Sequence, residues 1–323
     1  MKKKALITGV GGQDGSYLCE LLLKKNYQVF GILPRRSSPE LQTLRVEHIK
    51  NKIKLVYGDI MDKSNIDDVI KKVKPDEIYH LAAQSHVGVS FMSPNLTSQI
   101  DYIGTLNVLD SYKNYAKNAK FYNASSSEMF GNHGETKLNE SSNMQPASPY
   151  AIAKLASFHL TKIYRESYNL FACSGILFNH ESHRRGLNFV TAKIVKGALD
   201  IKYNKKNKLE LGNLESCRDW GHAEDYVRAM WMMLQLKKPE DLVIATGETK
   251  TVRNVCDYVF KKIGLGSYKE YVVTNKKFLR PNELHYLNGN PAKAQKIMKW
   301  KPIYTFEKML DEMIVKIEDR FFN

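Results

Sequence analysis

Two short stretches carry the side chains best suited to moving protons. Ser126 and Glu128 lie two residues apart in Tyr122-Asn123-Ala124-Ser125-Ser126-Ser127-Glu128. Beyond a polar loop come Tyr150 and Lys154, in Tyr150-Ala151-Ile152-Ala153-Lys154. A tyrosine and a lysine at i and i+4 share one face of a helix. An ammonium beside a phenol favours the phenolate, so Lys154 is expected to lower the pKa of Tyr150 toward neutrality. Ser126 can hold a substrate hydroxyl, and Glu128 is a second, independent ionisable group. This set suits two proton transfers at neighbouring carbons. A tyrosine and a lysine four apart also occur by chance in many helices. Here the pair gains its meaning from the glycine-rich loop and the alternating strand and helix signals around it.

Those signals begin at the first residues. Ala5-Leu6-Ile7-Thr8 is a short apolar run of the kind that forms a buried strand. Gly9, Gly12 and Gly15 follow as G-x-x-G-x-x-G, with Gln13 and Asp14 inside the loop, and Leu18, Leu21, Leu22 and Leu23 then read as a helix. A glycine loop between a strand and a helix is the setting of a dinucleotide fingerprint, with pyrophosphate at the helix N-terminus. The second strand, 27–33, ends in Pro34-Arg35-Arg36-Ser37-Ser38. An NAD site would place a carboxylate there for the ribose 2′-hydroxyl. Two guanidinium and two hydroxyl groups suit a 2′-phosphate instead and favour NADP; the alternative is a solvated basic loop.

The rhythm continues. Lys54-Leu55-Val56-Tyr57 is a third strand leading to Gly58-Asp59-Ile60, where Asp59 either accepts from the adenine amino group or caps the next helix. Strand 77–80 runs into Leu81-Ala82-Ala83-Gln84-Ser85-His86-Val87, whose small residues let the backbone approach a cofactor. Leu81, Ala83 and Ser85 are therefore candidate cofactor contacts, and Ser85 also a substrate contact. His86 is either a catalytic acid or, more simply, a hydrogen-bonded structural residue. A long helix is predicted over 95–116, a strand over 121–124, a polar loop that could act as a lid over 131–148, and strands over 172–178 and 242–246. The fold class is α/β: a Rossmann-type doubly wound parallel sheet with a smaller C-terminal α/β substrate-binding domain. The division predicted is 1–178, with a return segment near 222–247, against 179–323. Two short helices are expected to finish the chain.

Composition bounds the function. The 323 residues suffice for a large core, and the net charge is +15, with 49 Lys+Arg against 34 Asp+Glu. The lysines are scattered, with no basic arm or RNA-binding module, so no nucleic acid partner is expected. A positive field does help to gather a diphosphate. Cys19, Cys173, Cys217 and Cys256 suit neither zinc nor a disulfide framework, and no metal site is expected. A reducing, cytoplasmic location is the simpler expectation. No apolar run is long enough to cross a bilayer, and the opening residues read as a first strand rather than a leader.

With these residues in view, the chain closely resembles the GDP-mannose 4,6-dehydratase family of the extended short-chain dehydrogenase/reductases. The resemblance rests on Gly11-Gly12-Gln13-Asp14-Gly15-Ser16-Tyr17-Leu18, Arg35-Arg36-Ser37-Ser38 and Leu81-Ala82-Ala83-Gln84-Ser85-His86-Val87. It rests also on Ser127-Glu128, Tyr150-Ala151-Ile152-Ala153-Lys154, Phe178-Asn179-His180-Glu181-Ser182 and Arg218-Asp219-Trp220-Gly221-His222-Ala223. It implies a lyase that removes water from a GDP-hexose and gives a 4-keto-6-deoxy sugar, with NADP lending and recovering a hydride. Tyr150 would take the 4-hydroxyl proton, Lys154 would hold the nicotinamide ribose, and Ser126 would keep the hydroxyl contact usually made by threonine. Glu128 would remove the C5 proton. His180 and Arg185 would complete the NADP site. Asn179, Lys193, Arg218, Arg280 and Glu283 would bind the GDP portion. A homotetramer is implied, built by the Arg35 loop and by pairing of the helices near 95–116 and after Tyr150, through Ile103, Leu106, Leu109, Leu155, Leu160 and Ile163.

This sequence departs from the family pattern at Gly11, Leu96, His183 and Leu187-Asn188. GDP-mannose is the default substrate, with GDP-N-acetylglucosamine and GDP-mannoheptose as alternatives. A nucleotide-sugar epimerase or reductase is a rival with the same Ser-Tyr-Lys set, and a non-catalytic NADP-sensing module is a rival of another class.

Overall fold

Apolar runs such as Ala5-Leu6-Ile7 are buried on both faces because they lie in a parallel sheet covered by helices on each side. The computed structural model describes residues 2–34 and 42–322. Its strands are β1 (Lys4–Thr8), β2 (Gln28–Leu33), β3 (Lys54–Tyr57), β4 (Glu77–His80), β5 (Lys120–Ser126), β6 (Lys137–Leu138) and β7 (Phe171–Leu177). Then follow β8 (Asn179–Glu181), β9 (Leu209–Leu211), β10 (Cys217–His222), β11 (Leu242–Ile244), β12 (Thr249–Thr251), β13 (Val272–Thr274) and β14 (Tyr286–Gly289). Seven of them form one sheet in the order β11-β7-β5-β4-β1-β2-β3, parallel at every pairing. The order reverses between β1 and β4, which opens a crevice at their C-terminal ends.

The expected strands and helices of the first half stand within a residue or two of their predicted bounds, with two differences. The helix predicted over 95–116 is broken into Pro94–Ser98, a π turn at Gln99–Ile103, and Gly104–Tyr115. The extra residue of the π turn rotates Asp101 inward, where its Oδ1 accepts the Gln84 N–H at 2.7 Å. The polar stretch 131–148 is not a free lid. β6 pairs with β14, Gln145 donates its N–H to the Phe130 carbonyl, and His285 donates its N–H to Asn132.

A second sheet, ordered β12-β10-β14-β6 with β8 beside β10, packs across the crevice. The Asp219 carboxylate joins it to the main sheet: it accepts from the backbone N–H of Thr246 and Gly247, at 2.8 Å each, and from the Thr246 hydroxyl at 2.7 Å. The last helix, Phe306–Phe321, is longer than expected. Its Glu312 accepts from His183 at 2.5 Å and pairs with the buried His222 at 2.7 Å. Tyr17 of the first helix, Gln13–Lys24, reaches the same carboxylate at 3.4 Å.

Of the residues expected to pair subunits, Leu109 is fully buried in this chain's own core, Leu106 and Leu160 pack against that core, and Leu155 packs against a second cluster around Phe130 and Phe158. Ile152 and Ile163 are the exposed apolar residues of the Pro149–Tyr168 helix, at 58% and 53% exposure. Among the described residues, no helix is long and apolar enough to cross a membrane, and no group of three or more His, Cys, Asp or Glu could hold a metal ion.

Burial pushes Glu312 up, but its two histidine partners outweigh this and hold the carboxyl down at about 2. A folded-state value below the ordinary 4.5 means stability that is present above that pH and lost as the pH falls toward the folded value. Glu312→Gln is expected to lower stability at neutral pH by about 2–3 kcal/mol. The gap to wild type should close on acidification across that window, as measured by urea unfolding at several pH values.

Candidate active site

One cavity of about 930 Å³ runs along the C-terminal ends of the parallel strands and under the second sheet. Every described residue expected to take part in catalysis or in cofactor or substrate binding lines it. The glycine loop brings Gly9, Gly12, Gln13, Asp14 and Gly15, and the segments after β3 and β4 bring Asp59, Ile60, Leu81, Ala83 and Ser85. Ser126 and Glu128 come from the end of β5, and Tyr150 and Lys154 from the Pro149–Tyr168 helix. From the opposite wall come Asn179, His180, Arg185, Lys193, Arg218, Arg280 and Glu283. Arg35, Arg36, Ser37 and Ser38 lie outside the described residues.

The glycine loop is a cradle with no room for side chains. Gly9 has φ +73°, and a Cβ added to Gly15 would lie 2.3 Å from the Gly9 carbonyl oxygen. A dinucleotide pyrophosphate fits such a surface, against the N-terminus of the Gln13–Lys24 helix. Two residues assigned to the cofactor are spent first on each other. Asp14 Oδ2 pairs with His180 Nε2 at 2.8 Å, and Gln13 Nε2 donates to the His180 carbonyl at 3.1 Å. Burial opposes charge on both partners, yet their attraction prevails: Asp14 lies below its ordinary pKa and His180 above. Asp59 accepts from the Met61 N–H, and the cap of the following helix is Asp62.

At the reactive end, Ser148 caps the Pro149–Tyr168 helix by accepting from the Ala151 N–H. This aims Tyr150 and Lys154 into the crevice. Ser126 accepts from the Glu128 N–H at 3.2 Å and stands on the Tyr150 side of the cavity, where its hydroxyl favours the phenolate. The expected electrostatics need correction. Burial, reinforced by the Asp101 carboxylate, raises the Tyr150 pKa; Ser126 opposes this without reversing it. Lys154 stands 5.9 Å from the phenol ring centre and donates to the Ala124 carbonyl at 3.0 Å; burial lowers its own pKa. Desolvation thus outweighs the ammonium's pull on the phenol.

Across the cavity, acids and arginines alternate. Arg280 Nη1 lies 3.4 Å from Glu128 Oε1, and Arg218 Nη2 lies 3.6 Å from Glu283 Oε1. His86 takes the structural alternative: Nδ1 accepts from the Val89 N–H as a helix cap, and the ring packs on Phe189. Sequence reasoning missed three residues. Asp101 is a carboxylate flanked by Ile100 and Tyr102, and that local setting was the available signal. Phe189 and Phe278 line the cavity beneath Arg185 and Lys193, whose charged groups sit 3.7 Å and 3.4 Å from the ring centres. No periodic pattern marks either aromatic.

The sheet order, the glycine cradle at β1 and the Ser126–Tyr150–Lys154 set at the β5 edge define an extended short-chain dehydrogenase/reductase. A sequence profile described as GDP-mannose 4,6 dehydratase matches residues 6–313. The chain is 46% identical to a GDP-mannose 4,6 dehydratase of Drosophila melanogaster, over 97% of this chain and 85% of that one. It is 44% identical to a GDP-mannose 4,6-dehydratase of Vibrio cholerae, over 98% and 94%. Among solved structures, dTDP-glucose 4,6-dehydratase from Bacillus anthracis in complex with NAD shares the fold, with a TM-score of 0.85 at 24% identity, covering 98% of this chain and 97% of that one. The chain belongs to the GDP-mannose 4,6-dehydratase family.

Removing one partner of a buried ion pair strands the other's charge. Asp14→Ala is expected to cost about 3–5 kcal/mol of stability in a denaturant titration, because His180 would be left without its acid. The double variant with His180→Ala should recover part of the loss.

Proposed function

We propose that this chain is a GDP-mannose 4,6-dehydratase that works with NADP in the cytoplasm, in the biosynthesis of a deoxysugar. Tyr150, Ser126 and the carboxylate of Glu128 face one cavity, and this observation carries the reading. An epimerase or a simple reductase has no use for the second acid.

When bound, NADP supplies a hydride acceptor for C4 and the hydride that later returns to C6. The chain's own residues do the rest. Ser126 orients the sugar 4-hydroxyl, and Tyr150 takes its proton as C4 is oxidised. The 4-ketone acidifies C5, and Glu128 removes the C5 proton. The C6 hydroxyl then leaves as water, with Glu128 placed to return that proton. Once C6 has been reduced, C5 needs a proton, and the one Tyr150 took from the 4-hydroxyl meets that need and returns the phenol to its starting state. Burial raises the Tyr150 pKa in the protein alone, so loss of its proton is tied to filling of the site. Nothing but water leaves the sugar, and the cofactor ends as it began.

Residues 1–178, with the return segment near 222–247, would hold NADP, and the remainder of 179–323 the GDP portion. NADP is preferred over NAD because Arg35, Arg36, Ser37 and Ser38 follow β2. Gly9, Gly12, Gly15 and the Gln13–Lys24 helix would take the pyrophosphate, and Lys154 the nicotinamide ribose. His180 and Arg185 complete that site. Asn179, Lys193, Arg218, Arg280 and Glu283 would bind GDP, with Arg218 and Arg280 exchanging their carboxylate partners for phosphate oxygens. Assembly as a homotetramer is supported by the exposed Ile152 and Ile163 on one helix.

The test offers GDP-mannose, GDP-N-acetylglucosamine and GDP-mannoheptose in parallel to the NADP-loaded protein and follows product mass. Loss of one water from GDP-mannose is expected; turnover of another sugar alone, or retention of the C6 oxygen in an isomerised product, would overturn the reading. Glu128→Gln should lower turnover by at least about 100-fold while NADP binding, followed by fluorescence, stays at the wild-type level.

A further inference from the structure

Behind the reactive end lies a carboxylate that the chemistry above does not use. Asp101 is 1% exposed and sits in the π turn Gln99–Ile103. Its Oδ1 accepts the Gln84 N–H, but its Oδ2 is buried without a hydrogen-bond partner. The turn that holds it is pinned from two sides. Its carbonyl accepts from Thr105 Oγ1 at 2.7 Å and from Ser157 Oγ at 2.5 Å. Thr105 in turn meets His80 Nε2 at 3.0 Å, and His80 Nδ1 meets the Thr8 hydroxyl at 2.9 Å. Thr8 Oγ1 already accepts the N–H groups of Leu81 and Ala82, so its proton goes to His80 Nδ1. His80 therefore carries its single proton on Nε2; burial, with Lys154 nearby, pushes its pKa down to about 3 and keeps it neutral.

A carboxylate with an unsatisfied oxygen in a dry interior persists when an opposite charge stands near. Lys154 is that charge: it is buried one turn before Ser157 on the Pro149–Tyr168 helix, and Ser157 is the residue whose hydroxyl holds the Asp101 carbonyl. Burial drives Asp101 up to about 6, with Lys154 opposing, and burial drives Lys154 down, with Asp101 opposing. The hydrogen bond that Lys154 makes goes to the Ala124 carbonyl, which carries no compensating charge. The other titratable groups facing this pair are Tyr150, on the Lys154 helix, and the neutral His80; beyond Tyr150 stand Glu128 and Arg185.

We propose that Asp101 is a positioning residue: the buried counter-ion that keeps the Lys154 ammonium charged, and so able to hold the cofactor, at the alkaline end of the working range. The inference rests on the reading in which Lys154 binds the nicotinamide ribose of NADP. An uncharged residue at 101 would leave Lys154 buried with neutral partners, and its proton would be lost at lower pH.

The test follows NADP binding by protein fluorescence from about pH 6 to about pH 10, a range that brackets an ordinary lysine depressed by burial. Wild type, D101N, D101E and K154M are compared. Asparagine still presents an oxygen to the Gln84 N–H; if D101N does not fold, D101S, which also lacks the charge, is read in its place. Affinity of the uncharged variant should fall off at least about one pH unit earlier than in wild type, an alkaline Kd about tenfold weaker. D101E, which keeps the charge, should follow wild type more closely. Superimposed pH curves, or a loss by the same factor at every pH, would overturn the inference and leave Asp101 as scaffold. If K154M binds NADP like wild type across the range, it is the underlying reading of Lys154 that fails.

Discussion

The molecule depends on a buried ion pair between the glycine loop and the opposite wall of the crevice. Asp14 and His180 come from β1's loop and from β8, far apart in sequence, and neither charge could be left dry alone. Each has its remaining polar atoms occupied. His180 Nδ1 bonds the Phe178 carbonyl at 2.8 Å, and Asp14 Oδ1 accepts from Gln13 Nε2 at 3.1 Å. Gln13 also accepts from the Ser182 hydroxyl at 2.9 Å. A fully satisfied network of this kind has one register. Because His180 pairs with Gly221 across β8 and β10, fixing the glycine loop also fixes β10, and with it Arg218 and Asp219. The two walls of the cavity are thus held at one spacing by the chain itself.

Within that frame the dominant influence on the reactive groups is loss of water. Tyr150, Lys154, Asp101 and His80 all move away from their charged forms, and in each case burial is the largest cause. Across the cavity, Arg280 meets Glu128 and Arg218 meets Glu283; burial lowers the Arg218 pKa as well, while Arg280 and Glu283 lie on a segment less deeply buried. One half of the cavity is a low-dielectric pocket in which small changes of charge count heavily. The other half is a polar surface that can exchange one ionic partner for another.

Much of this was legible in the residues. Period and composition located the seven main strands, because runs such as Leu242-Val243-Ile244 are apolar throughout and a parallel sheet needs that. The glycine spacing, and Tyr150 with Lys154, placed themselves once the alternation of strands and helices was read. Four things were not legible. β6, β8, β12 and β14 have two to four residues each, too short for any period, and are strands only through their neighbours. The π turn at 99–103 has no compositional mark, and it alone decides that Asp101 points inward. The pKa of Tyr150 could not be signed from the Tyr–Lys spacing, because depth of burial is a tertiary quantity. The stretch 131–148 reads as loop because its ties are backbone pairings to residues near 283–290.

The clasp of Glu312 with His183, His222 and Tyr17 gives the fold an order of assembly. His183 belongs to the segment that carries Arg185 into the cavity, yet its acid partner lies on the last helix. A nascent chain can pair β1 to β5 as they emerge, while this wall of the cavity waits for the final helix to dock. The same arrangement makes that helix part of the pocket's scaffold, so a proteolytic nick ahead of Phe306 would be felt at the cavity wall that carries Arg185.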